Sequence, residues 1–263
     1  MRVLRAGVDP EAFFRRLGSS PDRILMLDYD GTLAPFTEAR DEAVPFPGMR
    51  EAVESIVAAG HTRVIVVSGR ALNDLRPLLG VRPEPEMWGS HGWERYRPET
   101  GVERADPGAD PTRRLARAVA LARARAPRGS VEVKPASVAV HVRGIESDAA
   151  DSLLSGIRAD WSDLAGGSVL KIHEFDGGLE LRVPGRDKGT SVRAVLEDAG
   201  EETAAAFLGD DRTDEDAFAA LGGRGLSVLV RSELRETLAD VWIRPPEELL
   251  EFLERWNRAA AEE

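Results

Sequence analysis

The chain has 263 residues, 42% of them hydrophobic and 31% charged, which is the make-up of a soluble globular protein with one large domain or two unequal ones. Its 46 acidic and 35 basic residues leave a formal charge of −11, which sets the surface against nucleic acid and anionic lipid. The absence of cysteine excludes disulfides, zinc thiolates and every thiolate nucleophile.

No apolar stretch of leader length follows residues 1–7, and nowhere do about 18 apolar residues run together. The expectation is a cytoplasmic monomer with neither nucleic-acid nor membrane partners. Four histidines are present, His61, His91, His141 and His173, and no two are spaced i,i+4 on one helix. A metal here is therefore expected on carboxylates.

In chain order, the first apolar run, residues 24–27, is too short for a helix and stops abruptly at polar residues, as a buried parallel strand does. Met49, Val53, Ile56 and Val57 then share a helix face ahead of Gly60, and residues 64–67 form a second buried strand. A Pro/Gly/Asp-rich stretch at 105–111 changes the pattern. The next 75 or so residues alternate: Val131, Val133, Val138, Val140 and Val142 point one way, and Glu132, Lys134, His141 and Arg143 the other. Leu179, Leu181 and Val183 alternate with Glu180 and Arg182 in the same fashion. Helices are predicted at 112–126, whose arginines read as a solvated face, and at 147–164.

After a turn at 184–186, Val192, Val195 and Leu196 share a helix face, residues 204–208 and 225–230 read as strands, and Pro246 opens a last amphipathic helix. Strand and helix alternate outside the middle segment, which argues an α/β sheet covered on both faces. The predicted organisation is a core domain over 1–108 and 185–263, interrupted by a smaller α+β domain over 109–184.

The three buried strands end in Asp28-Tyr29-Asp30-Gly31-Thr32, in Ser68-Gly69-Arg70 and in Gly209-Asp210-Asp211. In an open parallel sheet such ends converge on one crevice, and Lys188-Gly189 brings an ammonium to a helix N-terminus where anions are favoured. Two carboxylates two residues apart can divide the work of phosphate-ester hydrolysis, Asp28 as nucleophile and Asp30 as acid, then base. Like charges about 4 Å apart repel by roughly 4 kcal/mol at an effective dielectric of 20, so a dianionic phosphate beside these carboxylates demands cations. Magnesium (Mg2+) on Asp28 and Asp210, with Asp211 and Asp214 orienting metal waters or Lys188, meets that demand. Thr32, Ser68, Gly69 and Arg70 are the phosphate-binding candidates. Each fragment alone is also compatible with an ordinary turn or cap. Their order along the chain is what is specific.

Taken together, Asp28 to Leu33, Ser68-Gly69-Arg70, Lys188 and Gly209-Asp210-Asp211 resemble the four motifs of the magnesium-dependent phosphatases of the haloacid dehalogenase superfamily. Within it, Val67-Ser68-Gly69-Arg70, Gly89-Ser90-His91-Gly92, Val131-Glu132-Val133-Lys134 and Gly209-Asp210-Asp211-Arg212-Thr213-Asp214-Glu215 resemble the trehalose-6-phosphate phosphatases. The resemblance implies a Rossmann-like parallel-sheet core with an inserted α/β cap. It also implies a metal site on Asp28, the Asp30 carbonyl and Asp210, and sugar-binding residues at Glu132, Lys134 and Glu180, with His91 and Arg143 beside them. Two positions depart from that pattern: Val142 stands where an aromatic is expected, and Asp187 where Asn is commoner.

The implied reaction is hydrolysis of a small-molecule sugar phosphate, trehalose 6-phosphate, through an aspartyl phosphate. Rival readings are a sister phosphatase acting on sucrose 6-phosphate or a hexosyl-phosphoglycerate, and a non-catalytic sugar-phosphate sensor. A phospho-accepting receiver uses similar residues, but in about half this length.

Overall fold

The computed structural model describes residues 1–37, 42–166, 169–175 and 177–261. The chain falls into two units, one formed by Met1–Glu103 and Asp187–Glu263 and the other by Arg104–Arg186. Among the described residues no helix is long and apolar enough to cross a membrane.

The first unit runs β1 (Arg2–Val3), α1 (Pro10–Ser19), β2 (Arg23–Leu27), α2 (Met49–Ala59), β3 (Arg63–Val67), α3 (Leu72–Leu79), β4 (Glu86–Gly89), β5 (Glu94–Arg97) and β6 (Gly101–Arg104), whose last residue opens the second unit. The second unit continues with α4 (Ala109–Arg125), β7 (Val131–Lys134), β8 (Ser137–His141), α5 (Ser147–Ser162), β9 (Lys171–Phe175) and β10 (Gly178–Arg182). The chain then returns to the first unit as α6 (Lys188–Glu197), β11 (Ala204–Gly209), α7 (Glu215–Leu221), β12 (Gly225–Val230), β13 (Val241–Ile243) and α8 (Glu247–Ala261).

The nine-stranded sheet has the order β1-β13-β12-β11-β2-β3-β4-β5-β6. Its middle six strands pair in parallel, with antiparallel β1 and β5 flanking them. Numbered along the chain, the six parallel strands lie 3-2-1-4-5-6 from β4 to β13, the Rossmann order, whose direction of growth reverses between β2 and β11. Alternate residues of each strand feed different cores. Leu25, Leu27, Val64, Val66, Ala206 and Leu208 pack with Phe13, Leu17, Val53, Phe252 and Trp256. Ile24, Met26, Ile65, Val67, Ala205 and Phe207 pack with Val192, Val195, Phe218 and Leu221. Burial of both faces is why these strands read as continuous apolar runs.

Local signals set the helix ends. Asp9 accepts the Ala12 N–H at 3.1 Å, and Pro10 begins α1 where no intrahelical donor is required. Pro111, expected to mark a break, instead sits in the first turn of α4, where a missing N–H costs nothing.

The second unit has its own antiparallel sheet in the order β7-β8-β10-β9. Register places Glu132, Ala139, Glu180 and His173 in one row across it, and Lys134, Ser137, Arg182 and Lys171 in the next row on the same face. The other face carries Val138, Val140, Leu179 and Leu181, all buried, and Trp161 of α5 donates to the Ala118 carbonyl of α4 at 3.3 Å.

Trp256 is fully buried, stacks near Phe13 and Phe252, and donates from its indole to Thr62 Oγ1 at 3.0 Å. Trp256→Ala should therefore lower unfolding stability by ~3–5 kcal/mol. Trp256→Phe should lose clearly less, and equal midpoints for the two variants in a denaturant titration would contradict this packing.

Candidate active site

The sheet reverses its order between β2 and β11, and each of these strands delivers an aspartate at its carboxyl end. Asp28 follows β2 directly, and its N–H donates to the Leu208 carbonyl at 2.8 Å, so the last rung of the β2–β11 pairing fixes its backbone. Its side chain is buried, as are those of Asp210, Asp214 and Lys188. Lys188 Nζ, at the first residue of α6, donates to Asp28 Oδ1 at 2.6 Å and to Asp214 Oδ1 at 2.7 Å. Asp187 sets where that helix starts: it accepts the Thr190 N–H at 2.6 Å while the Thr190 hydroxyl accepts the Asp187 N–H at 2.9 Å. Aspartate caps as well as the asparagine expected there.

Asp214 Oδ2 accepts the N–H groups of Asp210 at 3.0 Å and Asp211 at 2.9 Å, so one carboxylate ties the ammonium to the loop after β11. Gly209 is required by that approach, since a Cβ there would lie 2.3 Å from Asp214 Cγ. Gly31 is required twice over: its φ is +84°, and a Cβ would meet Asp210 Oδ2 at 2.2 Å.

Asp28, Asp210 and Asp214 each present a carboxylate oxygen, all within 4.8 Å of one another. Each ionised pair at that separation repels by roughly 3 kcal/mol at an effective dielectric of 20, and the only ammonium in contact is Lys188 among the described residues. Burial, and then Asp214, push the Asp28 carboxyl up to about 7 against the pull of Lys188. Burial followed by Asp28 and Asp214 pushes Asp210 up to about 10. Burial disfavours the Lys188 ammonium, but Asp214 and Asp28 outweigh it and the net shift is upward. Among the described residues, Asp210 Oδ1 is buried without a hydrogen-bond partner. An all-oxygen donor set, an orphaned carboxylate oxygen and an excess of negative charge together fit a hard divalent cation.

The Asp211 and Asp30 carboxylates lie outside this cluster. Asp211 is exposed and accepts the Arg212 N–H at 2.6 Å, capping the turn that carries Asp214. Asp30 faces Arg70, whose Nε and Nη2 donate to its two carboxylate oxygens at 2.7 and 2.6 Å. Arg70 is 4% exposed and Asp30 29%, so this fork is anchored on its cationic side. Thr32 Oγ1 lies 3.4 Å from Asp28 Oδ2, and Ser68 Oγ accepts the Arg70 N–H at 3.1 Å. The His91 ring lies against Gly69, where a Cβ would be 2.7 Å from its Cε1. It is held there by a left-handed turn in which Ser90 and His91 have φ of 52° and 55°. The Ser90 hydroxyl donates to buried Glu94 at 2.8 Å, and the His91 N–H donates to the Ser68 carbonyl at 3.2 Å. Two such residues in succession are costly, and strain of this kind concentrates at functional sites.

In the second unit Glu132, Lys134 and Glu180 form one polar network. Lys134 Nζ donates to Glu180 Oε1 at 3.2 Å and lies 3.6 Å from Glu132 Oε2. Ser137 Oγ donates to the same Glu180 oxygen at 2.7 Å, and His141 Nε2 lies 3.0 Å from Glu132 Oε2. Arg182 stands 3.7 Å from Glu180, and burial with Arg182 nearby holds the His173 imidazole below its ordinary value. Arg143 lies beyond the end of β8, its side chain against Gly177. Ser137, Arg182 and His173 were not among the sequence candidates. Their signal was available in the pairing, since they share face and rows with the three that were. Arg235, outside every motif of the sequence, had no comparable signal.

The family model for trehalose-phosphatase matches residues 26–237. The chain is 29% identical over 252 residues to the probable trehalose-phosphate phosphatase C of Arabidopsis thaliana, covering 88% of this chain and 76% of that protein. It is 32% identical over 248 residues to the trehalose-phosphate phosphatase of Mycobacterium marinum, covering 89% of this chain and 61% of that protein. The solved C-terminal domain of the Candida albicans trehalose-6-phosphate phosphatase superposes with a TM-score of 0.78 over 98% of this chain and 99% of that one. At 18% identity that likeness speaks for the fold alone. With the family model spanning most of the sequence, the chain belongs to the trehalose-phosphatase family.

Proposed function

We propose that this protein hydrolyses trehalose 6-phosphate to trehalose and inorganic phosphate, with Asp28 as the nucleophile. The observation that carries the reading is a buried carboxylate at the switch point, in contact with a buried ammonium, beside Asp210 with its unpartnered oxygen. Among the described residues, Asp28 Oδ1 is taken by Lys188, whereas Oδ2 has only the long contact from Thr32. Oδ2 is accordingly the oxygen that attacks phosphorus. The ester P–O bond breaks, the departing sugar oxygen takes a proton from Asp30, and phosphate is left on Asp28. Asp30, now a carboxylate, then removes a proton from the water that attacks phosphorus, and the bond to Asp28 breaks. Both oxygens of Asp30 face Arg70, so each transfer requires at least one to leave the fork.

Asp28 and Asp210 are the residues suited to hold magnesium, which when bound supplies counter-charge to the phosphate and its transferring oxygen. Asp214 is a positioning residue, since its oxygens are occupied by Lys188 and two backbone N–H groups. Lys188 neutralises part of the charge on the nucleophile and on the phosphate it receives. Recognition of the disaccharide is assigned to Glu132, Lys134 and Glu180, whose hydrogen-bonding groups suit sugar hydroxyls. The family resemblance supports this assignment.

Asp28→Asn keeps the shape but removes the nucleophile. It should bring phosphate release from trehalose 6-phosphate to background in a colorimetric assay while the circular dichroism spectrum and substrate binding persist. Turnover by that variant would reassign the nucleophile.

Magnesium added to chelated protein should raise its unfolding temperature and restore activity, because a ligand of the native state alone stabilises it. Asp210→Ala should abolish both responses. Full activity in excess chelator is the result that would exclude a metal here.

Wild-type protein should prefer trehalose 6-phosphate over glucose 6-phosphate and over an aryl phosphate. Lys134→Ala and Glu180→Ala should erase most of that preference while slow aryl phosphate hydrolysis survives. Equal losses on sugar and aryl substrates would make these residues structural, and a wild-type preference for sucrose 6-phosphate would move the substrate to a sister class.

A further inference from the structure

Behind the loop that carries Asp210 lies the connection between β12 and β13, and one side chain there takes hold of the loop. Arg235 donates from Nε and Nη2 to the Asp210 carbonyl, each at 3.3 Å, and from Nη2 to the Asp211 carbonyl at 2.8 Å. Its Nη1 donates to Glu215 Oε1 and, at 2.8 Å, to the Glu236 carbonyl. Glu215 in turn accepts the Thr237 hydroxyl at 2.9 Å on Oε1 and the Leu238 N–H at 2.7 Å on Oε2. The guanidinium thus joins two successive backbone carbonyls of the loop to the first residue of α7, and Glu215 joins the guanidinium to the chain beyond it.

The connection is itself fixed to the sheet. The Arg231 N–H donates to the Ile243 carbonyl at 3.0 Å, and the Trp242 indole donates to the Arg231 carbonyl at 2.7 Å. Arg231 Nη1 reaches the same Asp210 carbonyl at 3.5 Å and stands 3.9 Å from Asp210 Oδ2. Asp214 holds the N–H side of residues 210 and 211, and Arg235 holds their C=O side. With both sides of the peptide backbone fixed, the Asp210 carboxylate has few ways to turn. Charge matters as well as geometry: carbonyl oxygens beside three carboxylates add to the negative potential, and a guanidinium on them offsets it without occupying the carboxylates.

We propose that Arg235, anchored by Glu215, is a positioning residue for the metal-binding carboxylate of Asp210. It touches neither substrate nor metal and acts through the loop. The inference rests on the reading of Asp28 and Asp210 as a magnesium site.

The experiment compares magnesium binding by wild type, Arg235→Met, Arg235→Lys and Glu215→Gln, without substrate, by magnesium-dependent shift of the unfolding temperature and by calorimetric titration. Groups supporting a ligand typically change metal affinity by 10- to 100-fold, so Arg235→Met should raise the half-saturating magnesium concentration about tenfold. Arg235→Lys, which keeps the charge but not the fork, should recover part of this, and Glu215→Gln should shift it the same way by less. With trehalose 6-phosphate, the half-activating magnesium concentration should rise while the rate at saturating magnesium recovers, a split that mere loosening of the fold would not produce. An unmoved half-saturation point in folded Arg235→Met overturns the proposal; if that variant does not fold, an unmoved point in Glu215→Gln does so. A wild type with no magnesium response overturns the metal reading and this inference together, whereas a responsive wild type with unmoved variants overturns this inference alone.

Discussion

The ammonium of Lys188 is the interaction on which the site depends. Three buried aspartates within 4.8 Å of one another cannot all stay ionised in a water-poor site without positive charge, and removing one partner of a buried ion pair typically destabilises by ~3–5 kcal/mol. Lys188 meets two of the three and leaves Asp210 with an orphaned oxygen. The remaining deficit is the negative charge that the proposed magnesium would offset. Much of the nearby sequence serves to place this one amine: the Asp187–Thr190 cap fixes where α6 begins, Asp214 bridges to the β11 loop, and Gly209 lets Asp214 approach.

The strand ends were legible because a parallel strand buried on both faces is an apolar run that stops where the crevice begins, and here the runs stop at Asp28, Ser68 and Gly209. Other strands were not legible for the opposite reason. β4 begins at Glu86, a buried carboxylate that accepts from Arg63, Arg95 and the Trp88 indole, so a core position reads as polar. β9 carries Lys171, His173 and Phe175 on one face and Glu174 on the other, and no alternation of polarity marks it. α3 carries Pro77 as its sixth residue, past the first turn, where a proline in the sequence argues against a helix.

The same division holds for the site. Local motifs gave residue types and the order of the loops, but not the partner each side chain would choose. Arg70 was a phosphate-binding candidate, and the structure gives its guanidinium to Asp30, forty residues earlier in the chain. Asp211 was expected to orient metal waters or Lys188, and in the fold its carboxylate caps the turn at 212–214. Arg235 carries no motif at all, because its role comes from a carbonyl-to-guanidinium contact across 25 residues, to which any loop sequence can contribute an acceptor.

The two sheets display chemistry in different ways, and each way follows from how its strands pair. In the parallel sheet both faces are covered by helices, so few polar side chains lie within the strands, and the proposed nucleophile, cation and metal carboxylate sit at or beyond strand ends. In the antiparallel sheet of the second unit one face is apolar and the other is free to be polar along its whole length, so Glu132, Lys134, Ser137, Glu180 and Arg182 form a surface. Point-like chemistry suits the transfer of one phosphoryl group, whose reacting atoms occupy a few ångströms. A ruled polar face suits the proposed recognition of a disaccharide, whose hydroxyls are spread over two rings. Interrupting a Rossmann-order sheet with a small antiparallel one therefore gives a single chain both kinds of surface.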